Sequence, residues 1–179
     1  MRRLARVFSA LTFLVLVAAV AVFLWDRTAP VTPPPLAPLA GQIDRILIEK
    51  SARRLTVYRD DEALRSYRIA LGFAPEGDKV QEGDGKTPEG RFTITRRNPQ
   101  SAYHLSLGID YPQAEDRAQA RAAGVSPGGD IFIHGQPNGL GRIGAIPYDW
   151  TAGCIAVSDA EIEELWRITP NGTRVDIQP

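Results

Sequence analysis

From residue 43 onward, apolar and polar positions alternate at strand spacing. Residues 44–49 and 54–59 each carry a run of Ile, Leu, Val and Thr flanked by charge, and 63–71 follow the Asp60-Asp61 turn, which predicts an antiparallel meander. Two further strands are expected over 91–97 and 103–107, another running into His134, one from Cys154 to Val157, and a last over 173–177. Between them, 113–123 is rich in Ala, Glu, Arg and Gln and reads as a short surface helix ending at Gly124. A second helix starts at Ser158, where Ser158 and Glu161 form a capping box, and Ile162, Leu165 and Trp166 then recur on one face. The pattern is mainly β with one or two short helices. Residues 72–90 interrupt it with five Gly, two Pro and seven charged residues, a long surface loop. Its charges read as a solvated face. A loop of this length in a compact domain also suits a substrate lip.

The first forty residues follow another pattern. Arg2, Arg3 and Arg6 precede 7–25, which hold no charge and would make about 28 Å of helix at ~1.5 Å per residue. A cleaved signal peptide is the rival reading, but its apolar region is usually about 7 to 15 residues long and ends at a small-residue site. No Ala-x-Ala follows this run. The expectation is therefore a transmembrane signal anchor over 7–25, with 1–6 in the cytoplasm and the remaining chain exported from the inner, cytoplasmic membrane. Residues 26–40 read as a linker, and within it 28–40 contain Pro30, Pro33, Pro34, Pro35 and Pro38, a polyproline II spacer reaching up to roughly 40 Å at ~3.1 Å per residue. An SH3-type ligand is the alternative for that run, although an exported segment does not meet such partners. The folded domain is expected over 41–179.

Composition narrows the classes. The chain has 179 residues, 44% of them hydrophobic, which suits one core plus a tail. Net charge is zero, but four Arg and one Asp fall in the first forty residues, leaving 17 basic and 20 acidic residues beyond. That balance argues against nucleic-acid binding. One cysteine and two histidines thirty residues apart make a poor zinc site, and no cofactor is implied.

The single cysteine, Cys154, follows Trp150-Thr151-Ala152-Gly153, and His134 ends the apolar run Ile131-Phe132-Ile133. Two adjacent strand ends would present an imidazole beside a free thiol, able to hold it as the nucleophilic thiolate. The plain alternative is a small core cysteine and a hydrogen-bonded structural histidine. His104, outside this pattern, reads as structural.

The order His134-Gly135, a spacer, then Thr151-x-Gly153-Cys154-Ile155 resembles the signature of the L,D-transpeptidase (YkuD-like) catalytic domain family. A second block, Gly72 followed by Thr87-Pro88-Glu89-Gly90-Arg91-Phe92, is similar to that family's TPxGxF segment. Two departures mark a YafK-like variant: Ala152 stands where a second His is usual, and Ala156 where an Asn or Arg is common. The resemblance implies a β-sandwich-like fold, Cys154 as nucleophile, His134 as base and the Gly135 carbonyl as the group orienting it. It further implies peptidoglycan stem peptides as substrate, with the small Gly153 letting the carbonyl approach. From the residues themselves, the Thr151 hydroxyl reads either as a substitute for the missing His or as a local backbone bond, Trp150 and Tyr148 read either as walls of the acyl pocket or as partly buried aromatics, and Arg142 either as a partner for a substrate carboxylate or as a solvated loop residue. Amides around Gly153 and Cys154 would serve as oxyanion donors. Acyl transfer to a stem amine, hydrolysis that trims stems or releases a wall-attached protein, and a non-catalytic wall-binding module all fit this pattern.

Overall fold

A computed structural model describes residues 14–21 and 37–179. The chain divides into two units, Met1–Ala37 and Pro38–Pro179. In the first, residues 14–21 are helical. The rest of the expected anchor over 7–25, residues 1–6, and the spacer as far as residue 36 lie outside the described residues. Among the described residues no helix is long and apolar enough to cross a membrane.

The second unit runs β1 (Arg45–Glu49), β2 (Arg54–Arg59), β3 (Glu62–Arg68), β4 (Gly90–Ser101), β5 (His104–Ile109), α1 (Ala114–Ala122), β6 (Phe132–His134), β7 (Ile155–Ala156), α2 (Asp159–Ile168) and β8 (Arg174–Gln178). It is mainly β with two short helices, as the alternation predicts. The strand order is β3-β2-β1-β8-β4-β5-β6-β7. Strand β4 belongs to two sheets, because residues 90–93 pair with β8 while 94–101 pair with β5. An antiparallel bridge between Ala70, just past β3, and Ala156 brings the two ends of that order together.

The inward residues of the alternation form one core. Ile46, Ile48, Leu55, Ile94, Leu107, Ile133 and Ile155 are fully buried, each contributing roughly 1.5–3 kcal/mol. Helix α2 opens on the expected box, Glu161 N donating to Ser158 Oγ at 3.3 Å and Ser158 N to Glu161 Oε2 at 2.8 Å. It closes the core with Ile162, Leu165 and Ile168.

Glu164 on that helix is buried as well, where charge alone reads as solvated. Its carboxylate accepts from Arg65 Nη1 at 2.7 Å, Tyr67 Oη at 2.9 Å and Leu39 N at 2.9 Å. Burial pushes this carboxyl up, but these donors outweigh it and hold it below the usual range. Leu39 also packs against the core. The compact unit therefore begins ahead of residue 41.

The loop over 72–90 is tied down rather than solvated. Lys50, 3% exposed, donates to Gly77 O, Thr87 O and Glu89 Oε1 at 2.6, 2.9 and 2.8 Å. Lys79, 5% exposed, pairs with Asp84 at 2.8 Å. Gly72 allows the loop to close on the Cys154 segment, since a Cβ there would lie 2.1 Å from Gly85 O and 3.1 Å from Gly153 Cα. The Thr87 hydroxyl accepts from Gly72 N at 3.1 Å, so the Thr87-Pro88-Glu89 block works as the anchor of this closure.

Candidate active site

Strand register places the two candidate groups. In the parallel pair β6–β7, Ile133 lies opposite Ile155 and His134 opposite Ala156. Both isoleucines point into the core. Side chains alternate along a strand, so Phe132, His134 and Cys154 share the other face. A parallel pair needs a long connection, and residues 135–154 supply it.

His134 is 3% exposed. Its Nδ1 lies 2.7 Å from the Gly135 carbonyl. A carbonyl only accepts, so Nδ1 carries the proton and Nε2 is left as the acceptor. Burial pulls the imidazole pKa below its ordinary value, and the bond to Gly135 works against that fall.

The half-buried Cys154 thiol sits between two backbone groups. Phe132 N donates to Sγ at 3.4 Å, and Sγ donates to Asp130 O at 3.4 Å. Burial raises the thiol pKa and the Asp130 carboxylate adds to the rise, while the Phe132 amide and Lys79 oppose it. Near neutrality the resting pair is thus imidazole and thiol.

Thr151 fixes the turn before the cysteine. Its Oγ1 donates to Cys154 O at 2.7 Å and accepts from Gly153 N at 3.1 Å. Gly153 has φ +137°, and a Cβ on it would lie 2.7 Å from Lys86 O, which explains why glycine stands there. One residue before Trp150, Asp149 accepts from Leu71 N at 2.8 Å and from Arg53 Nη2 at 2.8 Å. The start of the turn is therefore pinned to Arg53 and Leu71, on the β1–β3 side of the fold.

His134 and Cys154 line one cavity of about 290 Å³ with Tyr103, Ser106, Asp130 and Phe132. A second cavity of about 460 Å³ is lined by Ala152, Lys79, Glu82, Ser126 and Asp130. Asp130 borders both cavities. Ala152 lines the second cavity with a methyl group, which offers no acid or base there.

The structure brings Cys154, His134, Gly135, Thr151, Gly153 and Trp150 together, with the Trp150 ring centroid 5.7 Å from that of His134. Arg142 lies in the exposed turn Gly141–Ile143, and Tyr148 is 66% exposed. Neither lines the cavity of the thiol. Sequence reasoning missed Arg96, whose Nη1 pairs with Asp130 at 2.9 Å and whose Cζ lies 4.7 Å from the Phe132 ring centroid. One guanidinium thus touches both residues whose backbone holds Sγ. It also missed Tyr103, which reads as the start of a strand but sits in the β4–β5 turn, its ring 4.5 Å from that of His134.

Comparison with known proteins shows the family of the chain. The chain is 29% identical over 160 residues to YafK of Escherichia coli, which covers 86% of this chain and 58% of YafK. It is 30% identical over 142 residues to YkuD of Bacillus licheniformis, covering 75% of this chain and 66% of that protein. The chain therefore spans less than two thirds of the length of either relative. Among solved structures, the helical cell shape determining protein Pgp2 from Campylobacter jejuni superposes with a TM-score of 0.59 at 27% identity, over 77% of this chain and 48% of Pgp2. Bd1075 of Bdellovibrio bacteriovorus superposes with a TM-score of 0.55 at 25% identity, over 77% of this chain and 48% of that one. The YkuD model, described as the L,D-transpeptidase catalytic domain, matches residues 43–177, and the chain belongs to that family.

Proposed function

We propose that the domain is a cysteine-dependent L,D-transpeptidase acting on peptidoglycan stem peptides. The observation that carries this reading is the shared face of β6 and β7, on which a free thiol and an imidazole with an unprotonated Nε2 open into one cavity. Cys154 Sγ attacks the carbonyl of the tetrapeptide stem, and His134 Nε2 takes the thiol proton. The C–N bond breaks, the proton passes from His134 to the departing amine, and a thioester remains. A neighbouring stem amine then attacks the thioester while His134 Nε2 takes its proton, the C–S bond breaks as the new C–N bond forms, and His134 returns that proton to Sγ to restore the thiol. Gly135 O holds the Nδ1 proton throughout, the part a carboxylate plays in hydrolase triads. Gly153 N is engaged by Thr151, which leaves the Cys154 amide as the oxyanion donor. Residues 7–25 and 26–40 would tether the domain outside the inner membrane and set its reach to the wall.

A second reading keeps the same chemistry with water as acceptor. Ala152 at the open polar cavity favours it, because no imidazole there receives the proton of an incoming ammonium. Transfer remains the leading reading, since a held amine competes with water through its effective concentration. Incubation with disaccharide-tetrapeptide, read by mass spectrometry, separates the two: a cross-linked dimer marks transfer and a tripeptide alone marks hydrolysis. Turnover by a Cys154→Ala variant would end both readings.

A further inference from the structure

We propose that Tyr103, on the tip of the β4–β5 hairpin, is a positioning residue whose ring covers His134 and holds the imidazole in one plane and away from water. The inference rests on the role of His134 as base to Cys154.

Among the described residues the imidazole has one hydrogen bond, from Nδ1 to Gly135 O. A ring held at one atom keeps the freedom to tilt about that bond. Tyr103 removes this freedom: the ring centroids are 4.5 Å apart and the planes 31° from parallel. Trp150 meets the imidazole edge-on at 5.7 Å and Tyr103 at 5.8 Å, so the three rings brace one another. His134 is 3% exposed and Tyr103 39% exposed, which makes the tyrosine ring the layer between imidazole and solvent.

The tip that carries Tyr103 is itself built into place. Tyr103 N donates to Ser101 Oγ at 3.0 Å. Asn138 clamps the turn three ways: its N donates to Ala102 O, its Nδ2 to Ser101 O, and its Oδ1 accepts from His104 N, at 3.0, 3.0 and 2.9 Å. Gly135 N donates to Tyr103 O at 3.1 Å. The residue whose carbonyl holds the imidazole is therefore held through its amide by the residue whose ring covers it. The Tyr103 hydroxyl has no hydrogen bond among the described residues, so the ring and not the hydroxyl is the working part.

Among the described residues, the charged groups on the elements around His134 bond other partners and not its ring. Asp130 lies across the cavity and pairs with Arg96, and Asp149 pairs with Arg53. Asp159 on α2 accepts from Gln136 N, while Glu163 on α2 pairs with His104. The cover, more than any of these charges, sets how dry the imidazole is, consistent with burial as the main cause of its lowered pKa.

The test uses the solubilised full chain and the variants Tyr103→Phe and Tyr103→Ala. With two histidines in the chain, ring resonances can be followed by NMR against pH, and a His104→Gln variant identifies each signal. The expected result for Tyr103→Ala is a His134 titration moved up toward ordinary histidine, with kcat on disaccharide-tetrapeptide falling roughly tenfold or more and KM changing less. Tyr103→Phe should keep the wild-type titration and stay within about twofold in kcat. An unchanged titration in Tyr103→Ala overturns the proposal, as does a Tyr103→Phe variant damaged as much as Tyr103→Ala. The NMR result stands apart from turnover: an active His134→Ala variant would end the assigned base while leaving the cover to be judged by the titration.

Discussion

The Thr151 hydroxyl lies 2.7 Å from the Cys154 carbonyl and 3.1 Å from the Gly153 amide, so one side chain closes the turn on which the thiol is presented. Thr151→Val keeps the shape and removes both bonds, leaving an amide and a carbonyl without partners. The expected cost is about 1–3 kcal/mol of stability, together with reduced turnover. Thr151→Ser should recover most of both. Thermal unfolding of the two variants checks this, and a Thr151→Val protein as stable and active as wild type would reject it.

Cys154 and His134 are expected to behave as a unit, whereas His104 is not. Cys154→Ser and His134→Ala should each remove nearly all activity with the fold intact. His104→Ala should keep most of it, because the pair with Glu163 is exposed at 37% and 51% and exposed pairs contribute little. A carbapenem should acylate wild type at Cys154. Mass spectrometry of the intact protein would detect the adduct, and its absence on wild type would count against the nucleophile.

The pH dependence follows from two opposite shifts. His134 titrates below 6.5 in the fold, so as pH falls from about 6.5 the unfolded chain takes up the proton first and stability is lost. Cys154 titrates above 9.0, so as pH rises past 9.0 the unfolded chain releases its proton first and stability falls again. Unfolding free energy measured across this range should show both losses. His134→Ala should abolish the acid one, and Cys154→Ala the alkaline one. The thiol should also show no thiolate absorbance at neutral pH, and a clear thiolate signal there would contradict the neutral pair.

Truncation tests where the domain starts. A chain beginning at Gly41 lacks Leu39, which packs on the core and donates to Glu164, so it should unfold at lower denaturant than one beginning at Pro38, by about 1–3 kcal/mol. Equal midpoints would show that Leu39 contributes nothing.

Much of this architecture is readable in one dimension because its causes are local. Alternation around Ile46 and Ile48 gives β1, and the Ser158 and Glu161 pair fixes the start of α2. Cys154 and His134 stand out because the chain has so few of either residue, in an order that resembles a family signature. What stays hidden depends on distant pairings. Arg96 meets Asp130 across 34 positions. Glu164 is buried only because Tyr67 and Arg65 face it across nearly a hundred positions, 97 and 99. Tyr103 is hidden by a strand boundary: as the first residue of a strand it has no reason to turn toward His134, and only the turn at 102–103 directs it there.

Asp84 joins the ordering of the 72–90 loop to the Cys154 turn. Burial pushes its carboxyl up, but donors from Lys79, Lys86 N, Gln81 N and Val80 N outweigh this and hold it at about 2. Its ordinary value is 3.8, so the group contributes stability above that pH and loses it as pH falls toward 2, a contribution of about 2 kcal/mol at neutrality. Asp84→Asn should remove a similar amount and leave the Lys79 ammonium, 5% exposed, without its counter-charge. The effect should also reach the site. Asp84 Oδ1 accepts from Lys86 N at 3.0 Å, and the carbonyl of Lys86 borders Gly153, so a loosened loop releases the turn that presents the thiol. Asp84→Asn should therefore lower the midpoint of unfolding and, at temperatures where the fold persists, raise the rate at which iodoacetamide alkylates Cys154. A variant that loses stability without any change in alkylation would show that the loop and the turn are not coupled.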